Sequence, residues 1–325
     1  MLRQDLPIAG EPPRRPAEPA PHRKTCAAPA YEAPASRYSG GVLRTRPWRS
    51  ASLRLLTDHD RDEALALCDR DPIANVFVSA RIRATGLDPA RLGGQLWGYT
   101  DGGALSALCY SGANLVPVEA GPDAVAAFAS RARTQGRRCS SIVGPAEAVS
   151  QLWSLLAPVW DSPRDVRPVQ PVLAMSGPSA VEPDPLVRMV RPRELDVLLP
   201  ACIAMFTEEV GVSPIGADGG AAYRARMADL IGAGRSFARI DGGKVIFKAE
   251  VGAVTPYACQ VQGVWVPPEE RGRGHAVRGM AAVVQAALRL APVVTLYVND
   301  FNAPARAAYR HVGFTQAATF MSVLF

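Results

Sequence analysis

Apolar and polar positions along this chain follow two periods, and the periods succeed one another in the same order twice. Leu53-Arg-Leu-Leu56 reads as a short strand, and Arg61 to Arg83 carries apolar residues at helical spacing with a break expected at Pro72. Gln95–Tyr99 and Ala104–Tyr110 alternate with period two around Asp101-Gly102-Gly103, which predicts a hairpin, and Asn114–Val118 adds a third strand. A helix (Asp123 to Thr134), a strand (Cys139 to Val143), a helix (Glu147 to Leu156) and a strand (Val172 to Met175) follow. Beyond residue 186 the series repeats. Val187–Val190 is a strand, Arg193 to Val210 a helix containing Pro200, and Ala221 to Ile231 a second helix. Ser236–Ile240, Lys244–Val251 and Tyr257–Val266 form a meander around Asp241-Gly242-Gly243. A helix from about Gly274, a strand at Val293–Val298, a helix at Pro304–His311 and a closing strand complete it. Each half thus reads β-α-β-β-β-α-β-α-β, an α+β class built on mixed sheets flanked by helices.

The expected boundaries are a segment at 1–50, a first domain at 51–178 and a second at 186–325. Residues 1–50 hold nine prolines and few clustered apolar side chains, too few to offset the entropy of ordering. Their nine Lys/Arg against four Asp/Glu account for five of the chain's net +6. The basic balance therefore belongs to that segment and does not argue for a nucleic-acid partner. The segment has no apolar stretch of the secretory type, and no apolar run in the chain approaches a membrane span. Six cysteines lack C-x-x-C spacing and mostly sit in apolar contexts, as small buried hydrophobes of a reducing, cytoplasmic compartment do. Four scattered histidines give no metal-ligand set.

The chemistry concentrates at Val264-Trp-Val-Pro-Pro-Glu-Glu-Arg-Gly-Arg-Gly-His-Ala276, where a strand stops, a glycine turn follows and an alanine-rich helix begins. Such a turn presents backbone N–H groups at a helix N-terminus, so Arg271, Gly272, Arg273, Gly274, His275 and Ala276 form a candidate anion site. A Walker loop needs Lys-Ser/Thr where His275-Ala276 stands, and a dinucleotide fold needs G-x-G-x-x-G with a later acid. Neither is present.

Arg271-Gly-Arg-Gly-His-Ala276 instead resembles the Q/R-x-x-G-x-G/A signature of the GNAT acetyltransferase superfamily. Thr295-Leu-Tyr-Val-Asn-Asp-Phe-Asn-Ala-Pro-Ala-Arg-Ala-Ala-Tyr-Arg-His-Val-Gly-Phe314 resembles the second half of that family's core. The likeness covers about Leu186 to Phe325, and the repeated element order makes the chain resemble two GNAT folds in tandem. In the first half Glu119-Ala-Gly-Pro-Asp123 stands where the loop should be and suits no phosphate, which leaves that half to shape the substrate cleft.

The resemblance implies acetyl-CoA as co-substrate, its diphosphate on the loop and its pantetheine arm along Val264, Trp265 and Val266, with Asn302 bonding the arm. A strand N–H would polarise the thioester carbonyl. Tyr309 takes the general-acid position, with a core tyrosine as the plain alternative. Glu250 is the first candidate base and Glu208 and Glu209 are its rivals, each equally readable as an ion-pair partner. Arg271 and Arg273 would flank the phosphates, and Arg278 reach the 3′-phosphate. The expected function is N-acetylation of a small or protein amine, without metal, nucleic acid or membrane; the alternative is a non-catalytic acyl-CoA-binding regulator.

Overall fold

The computed structural model describes residues 51–216 and 218–325, and the expectations for residues 1–50 lie outside them. In the first half β1 (Ser52–Leu55) leads through a 3-10 turn to α1 (Arg61–Cys68), α2 (Val76–Thr85) and the single turn α3 (Pro89–Leu92). Then come β2 (Gly94–Asp101), β3 (Ala104–Gly112), β4 (Asn114–Val118), α4 (Pro122–Gln135), β5 (Ser141–Pro145), α5 (Ala146–Leu156) and β6 (Asp165–Met175). The second half follows the same plan: β7 (Arg188–Met189), α6 (Leu195–Val210), α7 (Ala221–Gly232), β8 (Ser236–Asp241), β9 (Lys244–Val254) and β10 (Cys259–Trp265). It ends with α8 (His275–Ala287), β11 (Val294–Tyr297), α9 (Ala303–Val312) and β12 (Thr315–Leu324). Both hairpins turn on consecutive glycines with φ of 61° and 87° (Gly102, Gly103) and 52° and 78° (Gly242, Gly243), values that β-carbons resist.

The two halves also start alike. Arg54 on β1 makes a two-pronged ion pair with Asp60, whose carboxylate also accepts from Thr57 N–H. Arg188 on β7 makes the same fork with Glu194, which accepts from Arg191 N–H. In both places an arginine six residues ahead steadies the acid that caps the first turn. These hydrogen bonds hold each carboxyl down at about 2.

All the strands lie in one 12-stranded sheet of order β1-β2-β3-β4-β5-β12-β6-β11-β10-β9-β8-β7. Each half contributes five strands from its outer edge inward and then trades its last. β12 runs antiparallel to β5 of the first half (Phe320↔Pro145 to Leu324↔Ser141) and β6 antiparallel to β11 of the second (Val294↔Met175 to Tyr297↔Val172). β6 and β12 also pair with each other, which is why each is 10 or 11 residues long. The outer part of β6, 165–171, exceeds the expected Val172–Met175, because Pro168 and Pro171 break the alternation that marks a strand.

The cores follow the exchange. Met321 and Val323 of β12 pack with Leu115, Phe128, Ile142, Val149 and Leu152 of the first half. Phe325 sits edge-on to both Trp153 and Trp160, 5.7 Å from each ring. At the seam a buried polar chain joins β12, β6 and the segment that follows β11: Ser322 Oγ donates to Gln170 (2.6 Å) and Gln170 Nε2 to Asn299 Oδ1 (2.8 Å). The described residues of 51–325 accordingly belong to one compact unit. Cys68, Cys109, Cys139, Cys202 and Cys259 are free and buried, and burial pushes the Cys68 thiol up to about 12 and that of Cys259 to about 11. No helix among the described residues is long and apolar enough to cross a membrane.

Candidate active site at the splayed strands

The parallel strands β10 and β11 are paired only at Cys259↔Val294 and Gln260↔Thr295. Both continue, β10 to Trp265 and β11 to Tyr297, and no further pairing joins them. Past Gln260 the strands therefore diverge and leave a wedge in the sheet. On its other edge β10 slips register against β9 between Gln262 and Trp265, a bulge centred on Gly263 with φ of 60°.

Beyond the wedge the chain passes a 3-10 turn (Pro268–Glu270) and enters α8. Gly272 and Gly274 have φ of 76° and 81°, and nothing lies within 4 Å of where a β-carbon would stand on either. Conformation requires these glycines, and the space beside them is open. Gly274 is the N-cap, no side chain caps the helix and no acid lies in its first turn. The first backbone N–H groups of a 13-residue helix thus face that space with the dipole's positive end behind them. A third glycine, Gly279, lets the helix sit directly on the Phe247 ring, which a β-carbon would approach to 2.7 Å.

The loop arginines are engaged with nearby acids. Arg271 Nε donates to Val266 O (3.0 Å) and Nη2 to Glu208 (2.7 Å), which also accepts from Trp265 Nε1 (3.0 Å). The Arg271 hydrogen bond, working against partial desolvation, holds the Glu208 carboxyl below its ordinary range. Arg273 and His275 both face Glu270, at 2.8 and 3.5 Å. Arg271 and Glu208 are each about half exposed, so the pair is worth roughly 1 kcal/mol or less and yields readily to a diphosphate. Arg278 is exposed and forms no ion pair among the described residues.

The structure sorts the three candidate acids. Glu250, expected to face the cleft as base, is instead 2% exposed and bound to the Lys248 ammonium at 2.7 Å. Glu208 is tied to the loop through Arg271 and Trp265. Glu209 is solvent-accessible yet has protein on most sides, as a group lining an open cleft does, and desolvation raises its pKa. Its backbone carbonyl accepts from Arg167 of β6 at 2.6 Å, so the first half's exchanged strand supplies one wall of the cleft.

Tyr309 is 8% exposed and packs edge-on to Phe314. Its hydroxyl makes no hydrogen bond among the described residues and is not one of their sealed, unsatisfied atoms. Burial, with the Glu209 charge added, pushes its phenol well up and keeps it protonated. Tyr297 is 39% exposed, yet protein crowds its phenol, and that desolvation first and then the Glu209 charge raise it to about 12. Asn302 caps α9, its Oδ1 accepting from Ala305 N–H, and its amide nitrogen has no partner among the described residues. Val264 and Trp265 are half-buried and Val266 buried along the wedge.

Lys248, Arg167 and Tyr297 were not singled out from the sequence. For Lys248 a signal existed: in Phe247-Lys-Ala-Glu-Val251, Lys248 shares a strand face with Glu250. A broad depression of about 530 Å³ against α4, lined by Leu53, Ala127, Ser130, Arg131, Thr134 and Gln135, has no paired acid and base and lies apart from the wedge.

Residues 218–314 match the acetyltransferase (GNAT) family model, and residues 94–198 match a domain of unknown function (DUF4081). No curated protein matches the chain. Many solved structures share the fold, three of them as follows. An acetyltransferase of the GNAT family from Colwellia psychrerythraea superposes with a TM-score of 0.52 at 12% identity, covering 84% of this chain and 99% of that one. A tandem GNAT protein from the clavulanic acid biosynthesis pathway gives 0.50 at 15%, covering 85% and 98%. A GCN5-related N-acetyltransferase from Sphaerobacter thermophilus gives 0.51 at 15%, covering 84% and 94%. At such identities these likenesses concern fold, while the family match brings acyl-CoA-dependent acetyl transfer as the general chemistry. The splayed strands, the uncapped glycine turn and the matched segment agree: residues 218–314 are similar to the acetyltransferase (GNAT) family, on a chain with the tandem GNAT fold.

Proposed function

We propose that the protein is an acetyl-CoA-dependent N-acetyltransferase that passes the acetyl group directly from thioester to amine. The observation that carries this reading is the open, uncapped start of α8 beside the wedge between β10 and β11. The diphosphate sits on the amides of Gly272 to Ala276, Arg271 and Arg273 exchange their acids for it, and Arg278 is near enough in sequence to meet the 3′-phosphate. The pantetheine arm runs along Val264–Val266, with Asn302 Nδ2 as a further donor.

Glu209 is the base. It is the one candidate acid not held by a cation side chain, and its raised pKa suits it to take a proton from the acceptor's ammonium. The amine nitrogen then bonds to the carbonyl carbon as the C–S bond breaks, Tyr309 gives its proton to the departing sulfur, and the second proton shed by the nitrogen returns through water to the tyrosinate. Burial that raises the phenol raises the thiol alongside it, so the two stay matched. The five buried, unpaired thiols support a cytoplasmic setting.

Thiol release from acetyl-CoA, followed across a panel of small amines and peptides, tests the reading together with Tyr309→Phe. Turnover that falls about 100-fold in the variant with acetyl-CoA affinity kept is expected. Tight binding with no turnover on any acceptor would support the regulator reading, which the Lys248–Glu250 pair favours by removing one candidate base.

A further inference from the structure

A fully buried lysine and an almost fully buried glutamate lie against the bulge of β10. Lys248 is 0% exposed and its ammonium has two oxygen partners, Glu250 Oε1 at 2.7 Å and the Gly263 carbonyl at 3.0 Å. Glu250 also receives Gln262 Nε2 at 3.5 Å and faces the Cys202 thiol at 3.7 Å. A β-carbon on Gly263 would stand 3.1 Å from Lys248 Nζ and 3.2 Å from the Glu250 carboxyl, at a φ of 60°. The pair thus fits only the bulged conformation, and only glycine fits the bulge.

Burying an ion pair costs several kcal/mol per charge before the attraction is counted, and an apolar pair of similar volume is often at least as stable. Stability alone is therefore a weak reason for these two residues. Their geometry offers a stronger one. The Gly263 carbonyl and the Val264 N–H belong to a single planar trans peptide and point in opposite directions. Lys248 rises from β9, the neighbour of β10 away from the wedge. Drawing the Gly263 oxygen toward Lys248 turns the Val264 N–H away from β9 and toward the gap that β10 and β11 enclose.

We propose that Lys248, with Glu250 as its counterion, is a positioning residue: by holding the Gly263 carbonyl it aims the Val264 N–H at the carbonyl oxygen of the acyl thioester. This rests on the acetyltransferase reading above. Glu250 then acts through Lys248 and touches neither substrate.

The decisive variant is K248M/E250L, which removes both charges together and leaves no unpaired buried charge, so the fold is retained. In the apo protein, hydrogen exchange at the amides of 262–265 is expected to accelerate at least 10-fold while β8 is unchanged. With acetyl-CoA and an accepted amine, kcat should fall about 100-fold, the scale of losing one oxyanion donor, with KM for acetyl-CoA within about threefold of wild type. E250Q alone should fall between the two, since an uncharged partner still restrains the ammonium. Unchanged exchange at 262–265 overturns the proposal, and so does faster exchange with kcat intact, which would make the pair merely structural. If the wild type itself neither binds nor turns over acetyl-CoA, the acetyltransferase reading fails first and the positioning role with it. A wild type that turns over beside an equally active K248M/E250L overturns the positioning role alone.

Discussion

The wedge exists twice, and only one copy is open for a ligand. β4 and β5 pair in parallel at Asn114↔Ser141 and Leu115↔Ile142, the same two-residue register as β10 and β11, and then part. In the first half the Pro117 ring and carbonyl lie 3.4–3.7 Å from where a β-carbon on Gly144 would stand, so the gap is filled by the chain itself. Glu119 takes φ of 51° where a glycine turn would be, its carboxylate accepting from the buried Asn75 amide. α4 opens with Pro122, which has no N–H, and Asp123, whose charge already occupies the dipole. The backbone plan thus supplies a gap, and a handful of turn residues decides whether it receives an anion or is closed.

The largest expected effect tests whether the halves are separable at all. Expressed alone, 186–325 lacks β6 and leaves Met321 and Val323 without the first half to pack on, at about 2 kcal/mol each. It should fail to give a cooperative thermal transition by circular dichroism, whereas a soluble, sharply melting fragment would show that the strand exchange is dispensable. Next comes Gly274→Val: valine resists φ of 81°, and calorimetry should show acetyl-CoA affinity down about 100-fold with little change in Tm. Gly121→Val in the first half, at φ of −75°, should leave affinity untouched, and a comparable loss there would mean that both wedges bind.

The pH profile sharpens the assignment of the base. Glu209 must be ionised to accept a proton and its pKa is raised, so kcat should climb with pH through a midpoint above the ordinary carboxylate range. Glu209→Gln should lower kcat at least 10-fold and abolish that limb, and a limb that survives points to another base. Tyr309 is raised too, so no falling limb is expected at ordinary phenol pH.

The smallest effect concerns the matched forks. Asp60 and Glu194 have folded pKa values of about 2, below their unfolded ones, so their stabilisation is present above about pH 4.5 and lost as pH falls through 2. Their arginines are 43% and 40% exposed, so each fork is worth about 1 kcal/mol or less. Asp60→Asn and Glu194→Gln should each flatten the acid branch of the Tm–pH curve equally if the forks are equivalent.

Much of this was legible along the chain because it is local. Turn glycines, alternating strands and the alanine-rich α8 carry their own signatures, and Tyr309 and the loop stand in spaced motifs. Sheet order was not legible, since nothing in β6 or β12 records that each pairs outside its own half, and Pro168 and Pro171 disguise half of β6. The roles of Glu208 and Glu250 were hidden for a similar reason. Their partners Arg271 and Lys248 are fixed by tertiary distance, and a carboxylate in a sequence does not declare whether a cation waits opposite.

The seating of Phe325 between two tryptophans has a consequence for how the molecule is made. The first-half core lacks the strand beside β5 until β12 has been synthesised, so that region emerges early yet closes only after the second half has followed it.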